Sequence, residues 1–208
     1  ELAIISPIDI DRDVTQELDR LGTVKHIIAP NLFHYLFLET FKTLYPQAKI
    51  YAPSKLQAKI PNLSLDSPLE NRSDYFSGEL EYFLFAGVNT WLPSGKSPLN
   101  EYVFFHRESQ TLILTDTAFY ISKSFSPILQ GIARVWGGYE QLRPSVLEKL
   151  ATTEKVRVRR SAQTLLKWDF KRAIVAHGSI VERDAKWKFQ EGYQWFLDEL
   201  LERSMGNG

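Results

Sequence analysis

The sequence feature that most limits the possible folds of this chain is a strand that runs into a proline-asparagine loop and then into an amphipathic segment. Residues 24–35 read VKHIIAPNLFHY, and their β-branched content favours a strand. Pro30 cannot donate to an internal ladder, which predicts that the strand ends just before it. Apolar residues then recur at helical spacing, which predicts a helix over 35–45. Asn31 and His34 therefore lie in or beside the loop at the strand's carboxyl end, where open α/β sheets hold ligands.

The rest of the first half repeats this alternation of strand and helix. Predicted strands cover 2–10, 24–29 and 49–52, and predicted helices cover 13–21, 35–45 and 53–60. This order is typical of a layered α/β domain. Residues 62–78 are rich in Asn, Ser, Asp and Pro and are predicted to form a surface connection. We therefore expect one domain made of two fused halves, roughly 1–78 and 79–208.

The second half has a β-rich beginning followed by helices. Predicted strands cover 79–87, 101–106, 111–116 and 173–176, and predicted helices cover 125–136, 145–150, 152–168 and 185–203. The charged turn residues 107–109 predict a hairpin between the second and third of these strands. The basic run in 152–168 is read as a solvated helix face rather than a nucleic-acid surface.

Composition excludes several classes of function. Lys plus Arg and Asp plus Glu both number 25, so the chain has no global field that would attract nucleic acid or an anionic membrane. The chain has no cysteine, which removes disulfides and thiolate metal sites and fits a reducing compartment. No apolar run reaches the ~18 residues of a membrane span, and no signal-peptide pattern opens the sequence. We expect a soluble cytoplasmic protein whose partner is a small molecule or another protein, although Glu1 need not be the native start.

Three predicted strands end on polar residues that are candidates for one site. They are Asn31 with His34 after the first, Asp116 after TLILT, and His177 after AIVA. From the residues alone, a structural role is the alternative for each, since Asp116 can cap the segment that follows and His177 can cap a loop before Gly178. His26 and His106 are read as structural, the latter as a hydrogen-bonding residue at the hairpin.

In the order of its motifs, the chain resembles the metallo-β-lactamase superfamily over nearly its whole length. Within that superfamily it is similar to a group of bacterial, often cyanobacterial, proteins. The shared motifs are APNLFH (29–34), FFH (104–106), TLILTD (111–116) and AHG (176–178). The resemblance implies an αββα four-layer sandwich with two mixed β-sheets. It also implies that Asp116 matches the superfamily's bridging aspartate and His177 the histidine of its last metal motif.

The departures from the superfamily's pattern concern the metal ligands. Its first motif, Thr-His-x-His-x-Asp-His, places Pro30 and Leu32 at the first two histidines, His34 at the aspartate and Tyr35 at the last histidine. The region 92–100, which matches its Gly-His loop, contains no histidine. A zinc site needs about three or four donors together. We therefore expect no resident metal or cofactor, or at most one weakly bound zinc ion held by His34, Asp116 and His177.

Three hypotheses about function follow. The first is a non-catalytic protein that binds a small ligand or a partner in the cleft that holds the metal centre in the superfamily. Its binding residues would be Asn31, His34, Asp116 and His177. The second is an enzyme, a mononuclear metal-dependent hydrolase of esters, thioesters or lactones. The third is a structural protein that forms a homodimer through its aromatic-rich second half, for which an exposed apolar patch would be the sign.

Overall fold

The computed structural model describes residues 1–69, 76 and 78–201. The chain divides into two compact units, Glu1–Glu70 and Asn71–Gly208. The single domain with halves that meet near residue 78 stays a prediction. The expected α/β class is confirmed in both units. Among the described residues, no helix has the length and apolar character needed to cross a bilayer.

The first unit is a parallel sheet with helical connections. Its strands are β1 (Leu2–Ile5), β2 (Val24–Ile28), β3 (Lys49–Pro53) and β4 (Ser67–Leu69), and its helices are α1 (Arg12–Leu21), α2 (Leu38–Leu44) and α3 (Leu56–Lys59). The strands lie in the order β1-β2-β3-β4, and the three pairings among these described strands are parallel. A mixed sheet was expected here, so the strand directions differ from the prediction. Strand β4 lies in the stretch predicted to be a connection. Residues 70–75 and 77 of that stretch lie outside the described part.

Local capping decides where the helices of the first unit begin. Asp11, not Asp13, starts α1, since its side chain accepts hydrogen bonds from the N–H groups of Asp13 and Val14. Helix α2 begins at Leu38, three residues after the predicted start, because residues 31–37 form turns. The apolar core of the unit lies between the sheet and its helices, with Ile27, Leu38, Phe41, Ile50 and Leu56 fully or almost fully buried.

The second unit contains a mixed sheet and a separate hairpin. Its strands are β5 (Leu80–Phe85), β6 (Asn89–Leu92), β7 (Gly95–Pro98), β8 (Glu101–His106), β9 (Thr111–Leu114) and β10 (Arg172–Val175). The main sheet has the order β10-β9-β8-β5, with β10 and β9 parallel and the other pairs antiparallel. The predicted hairpin, β8-β9, is confirmed. The β6-β7 hairpin was not predicted.

Four helices complete the second unit, namely α4 (Pro127–Trp136), α5 (Val146–Ala151), α6 (Lys155–Leu165) and α7 (Ala185–Leu197). Helix α7 carries the aromatic core, in which Phe189 and Tyr193 pack at 4.4 Å between ring centres. It ends six residues before the predicted 203, because Asp198 adopts a left-handed conformation that stops the helix. Residues 202 and 203 lie outside the described part.

Helix α4 is confirmed as a helix, but its apolar face is not buried. Of its ten residues only Ala133 is buried, and Ile128 is 77% exposed. The other large apolar side chains on its outer surface are Leu129, Ile132, Val135 and Trp136, all exposed. The apolar residues share one face of the helix, as their spacing predicts, but that face is exposed to solvent.

Candidate ligand site at the strand ends

Parallel pairing of β9 and β10 brings Asp116 and His177 together. Leu114 pairs with Val175 at the ends of the two strands, and the next N–H, of Ala176, donates to the Leu114 carbonyl at 3.1 Å. The carboxyl ends of parallel strands meet at the same edge of a sheet. The residues that follow each strand therefore lie side by side.

The two side chains are in direct contact. His177 Nε2 lies 3.2 Å from Asp116 Oδ1, and the tautomer with its proton on Nε2 donates to the carboxylate. The Asp116 side chain is 15% exposed and that of His177 is 49% exposed, so the imidazole is accessible to solvent while the carboxylate is mostly buried. The Phe119 ring stacks on the imidazole, with ring centres 5.7 Å apart and planes at 25°. Asp116 and His177 thus form a hydrogen-bonded pair, called the dyad below, of which only the imidazole is well exposed to solvent.

A second acid, Glu101, holds the backbone of this loop from below. Strand β8 is antiparallel to β9, so its first residue lies beside the end of β9. Glu101 is fully buried, and its carboxylate accepts hydrogen bonds from the N–H groups of Thr115, Asp116 and Thr117 at 2.7, 2.6 and 2.9 Å. It also accepts one from the Thr117 hydroxyl at 3.0 Å. Burial raises the pKa of Glu101 and the Asp116 carboxylate raises it further, whereas the backbone donors lower it.

Helix α7 and a close backbone approach fix the rest of the loop. The buried Tyr193 hydroxyl donates to the Thr117 carbonyl at 2.7 Å. Burial raises the pKa of Tyr193, so this group stays a protonated donor. Gly178, with φ +145°, follows His177, and a Cβ there would lie 2.0 Å from the Tyr120 carbonyl oxygen. A side chain at residue 178 would force the loop apart from Tyr120.

In the first unit, Asn31 and His34 are also close to each other. Asn31 is fully buried, and its Oδ1 accepts from the N–H groups of Phe33 and His34, both at 2.8 Å. His34 Nδ1 lies 2.6 Å from Ser6 Oγ, in the predicted bend after β1. Asn31 therefore shapes the turn that carries His34. Their participation in one site with Asp116 and His177 stays a prediction.

Three residues of the loop after β2, which the resemblance aligns with histidines, lie in or against the apolar interior of the first unit. Pro30 is buried, and Leu32 and Tyr35 are partly buried against its core. Lys59 donates to the Leu32 carbonyl at 2.8 Å and lies over the Tyr35 ring at 4.5 Å. These positions contribute packing and hold no histidine or carboxylate.

The whole sequence contains only four histidines, and two of them have structural environments. His26 lies in β2 with its ring 5.4 Å from that of Tyr51. His106 Nδ1 lies 2.8 Å from the Ser109 hydroxyl in the hairpin, which confirms its predicted role. His34, beside Ser6, and His177, beside Asp116, are the two histidines that stay candidates for a ligand or metal site.

The family model described as Domain of unknown function (DUF4336) matches residues 1–135. The chain belongs to the DUF4336 family. No curated protein matches this DUF4336 chain.

Solved structures show which fold the DUF4336 chain has. The metal-soaked Flv1 flavodiiron core from Synechocystis sp. PCC6803 is 15% identical with a TM-score of 0.61, over 93% of this chain and 49% of that one. The DIM-1 metallo-β-lactamase is 14% identical with a TM-score of 0.58, over 92% of this chain and 80% of that one. A metallo-β-lactamase family protein from Thermus thermophilus is 14% identical with a TM-score of 0.53, over 92% and 69%. The expected metallo-β-lactamase fold is confirmed, and identities this low carry the fold alone.

Glu101 and Tyr193 are the site residues that sequence reasoning missed. Glu101 could have been noticed because it is the first residue of the otherwise apolar strand EYVFFH, and a carboxylate is rarely buried without hydrogen-bonding partners. Tyr193 has no comparable signal, because it sits among other aromatic residues of α7.

Proposed function

We propose that this DUF4336 chain lacks the dinuclear metal centre of its fold and binds a small ligand or a partner through the residues that remain at the strand ends. The packing of Pro30 and Leu32 against the interior of the first unit carries the proposal. Neither side chain has an atom that can bind a metal ion. Metal-dependent hydrolysis requires several donors that converge on one ion.

The dyad of Asp116 and His177 suits recognition of a polar ligand. The exposed imidazole provides hydrogen-bonding atoms to a bound molecule, and the sheltered carboxylate fixes its orientation. Glu101 and Tyr193 anchor the loop, so the dyad needs little reordering when it binds. A preorganised donor and acceptor pair of this kind binds hydroxyl or carbonyl groups.

Metal content tests the loss of the metal centre. The protein purified without chelator should hold well under one equivalent of zinc, iron or manganese per chain after dialysis, measured by elemental analysis. Added zinc should leave the melting temperature of the native chain unchanged, and the same should hold for Asp116→Ala and His177→Ala. The matched control is His106→Ala, which removes a histidine of the hairpin.

Stoichiometric metal that survives dialysis and is lost in Asp116→Ala or His177→Ala would overturn the proposal. It would instead support the mononuclear metal-dependent hydrolase of esters, thioesters or lactones. Metal that is lost also in His34→Ala would add the first unit to the donor set. Metal retained in all these variants would place it elsewhere in the chain.

Ligand binding is tested by thermal shift against a panel of small polar metabolites. A compound that raises the melting temperature of the native chain should lose its effect in His177→Ala and Asp116→Asn and keep it in His106→Ala. A shift that survives in both dyad variants would assign the binding to another surface.

Helix α4 supports a second candidate function, assembly of a homodimer. Its outer surface, Ile128, Leu129, Ile132, Val135 and Trp136, carries no charge, while its polar residues Gln130 and Arg134 fold back on the unit. Two such surfaces in contact would remove on the order of 1,000 Å² from solvent, near the lower end of specific interfaces.

A second copy is the occupant that this surface favours. Gly131 lies at the edge of it, next to Ile128 and Val135 at i,i+3 and i,i+4 spacing, and a Cβ there would meet nothing within 4 Å. Glycine costs about 1 kcal/mol relative to alanine inside a helix, and no contact among the described residues requires it. Close approach of a second α4 across a twofold axis would use that gap, and a neutral apolar surface is complementary to itself. Helices that lie on membranes instead carry a polar face rich in Lys and Arg.

A further inference from the structure

A cavity of about 370 Å³ lies in the second unit, apart from the dyad. One wall is the segment 140–143, and the other is a face of α7 with Trp187, Lys188, Glu191, Gly192 and Trp195. A Cβ at Gly192 would lie 2.1 Å from the Leu142 carbonyl oxygen, so the two walls meet there at backbone distance. The volume suits a small ligand of one or two rings.

Arg143 is a cation in this cavity with unused donors. Its guanidinium carbon lies 3.8 Å from the centre of the Trp195 ring. Its Nε is shielded from solvent and has no hydrogen-bond partner within the described residues. Burial lowers the pKa of Arg143, and no carboxylate in the described part of the chain offsets that cost. A half-buried guanidinium in this state is suited to a bidentate bond with a carboxylate or phosphate.

Lys188 adds a second positive charge. Its Nζ lies 3.5 Å from the Tyr120 hydroxyl and 5.4 Å from the centre of that ring, and it has no ion pair among the described residues. Of the two acids in the lining, Glu140 lies 3.5 Å from Lys123 Nζ, and Glu191 is exposed. The lining therefore holds two acids and two cations, of which Glu140 has Lys123 as a partner, while Arg143 and Lys188 have no ion pair among the described residues.

The two tryptophans of the lining indicate which uncharged part a ligand of this cavity would have. Trp195 is already covered by Arg143, and Lys149 Nζ lies 4.4 Å from its ring centre. Trp187 is 54% exposed and its indole is available for stacking. An aromatic ring can pack on that indole while its charged substituent meets the guanidinium.

We propose that this cavity, which we call the tryptophan cavity, binds a small aromatic anion through Arg143 and Lys188, with the ring of the ligand against Trp187. The charged group is a carboxylate or a phosphate. Neither residue of the dyad lines this cavity, and the proposal does not rest on the function proposed for the dyad.

Titration of the full chain with benzoate, phenyl phosphate and the neutral analogue benzamide tests this proposal. Tryptophan fluorescence and calorimetry should report saturable binding of at least one of the two anions, and benzamide should bind at least about tenfold more weakly, since it lacks the charge-assisted hydrogen bonds. Arg143→Gln and Lys188→Gln should each weaken anion binding about tenfold or more. The matched control Lys186→Gln changes a lysine of the same helix that lies outside the lining, and it should bind as the native chain does.

Further variants keep the result interpretable if Arg143→Gln unfolds the unit. Arg143→Lys retains the charge but loses the planar fork, and it should bind more weakly than native while melting at a similar temperature. Trp187→Ala should reduce affinity for the aromatic anions and leave any weak binding of inorganic phosphate unchanged. Equal binding of benzoate and benzamide, no saturable binding of either anion, or full binding by folded Lys188→Gln and Arg143→Lys would overturn the proposal.

Discussion

Glu101 accepts a hydrogen bond from the backbone N–H of Asp116, with 2.6 Å between Oε2 and the nitrogen. The fully buried acid thus positions the partly buried one by accepting a hydrogen bond from its main chain. The neighbouring N–H groups of Thr115 and Thr117 point to the same carboxylate. The turn after β9 is therefore built around one buried carboxyl group that accepts from three backbone N–H groups.

Replacing that acceptor should destabilise the fold. In Glu101→Gln, the amide nitrogen would face backbone N–H donors and leave at least one of them without an acceptor. We expect a loss of about 2–4 kcal/mol in the free energy of unfolding, measured from urea midpoints with an unchanged m-value. The control Glu108→Gln alters an exposed acid of the same hairpin and should stay within about 0.5 kcal/mol of the native chain. A native-like midpoint for Glu101→Gln would show that the carboxylate is not needed there.

The pH dependence of stability should contain a contribution from His26. Burial lowers the pKa of His26 from its ordinary value of 6.5, and Lys49 and Lys25 lower it further, while Glu1 opposes them. Because the unfolded chain then binds more protons than the folded chain, stability should fall as pH drops below 6.5 and level off below the folded pKa. His26→Gln should have a flatter slope of stability against pH in that window, measured by urea unfolding at several pH values. Parallel slopes for the two chains would contradict this prediction.

Gly178→Ala should be costly because two separate effects act there. Gly178 has φ +145° and would place a Cβ against the Tyr120 carbonyl, whereas Gly95 has φ +112° and open space around it. Gly95→Ala should therefore cost about 1–2 kcal/mol for backbone strain alone, and Gly178→Ala distinctly more. Thermal and urea unfolding of both variants measure the difference. Equal losses would mean that the loop beside His177 moves freely away from Tyr120.

The positions of Asp116 and His177 could be predicted because each follows a short apolar strand. TLILT and AIVA are legible as strands from their β-branched residues, and the loops after parallel strands share an edge. Glu101 could not be placed in the same way. Its role depends on three N–H groups that turn towards it from residues fourteen to sixteen positions later, and no periodicity records such a turn.

The missed elements have physical explanations as well. Strand β4 contains only Ser67, Pro68 and Leu69, and its pairing with β3 outweighs a composition typical of loops. Strands β6 and β7 have little apolar alternation, and Gly95 at their turn resembles a loop signal. In α4 the periodicity identified a helix and a face correctly. It could not show that the face points to solvent, because a pattern reports which residues share a side and not what covers them.

That exposed face leads to a prediction about the state of the protein in solution. If two α4 helices pack together, light scattering after size exclusion should give about twice the 24.0 kDa chain mass. Ile132→Glu places a charge in the contact, so it should give the monomer mass with little change in the monomer's fold, because the position is exposed. Gly131→Leu fills the space at the edge of the face and should weaken the dimer less than Ile132→Glu does. The matched control Leu150→Glu alters an equally apolar exposed residue on α5 and should remain dimeric. A native chain that stays at 24.0 kDa at high concentration would exclude the dimer. Sedimentation of that monomer with lipid vesicles, abolished by Ile132→Glu, would assign the face to a membrane surface instead.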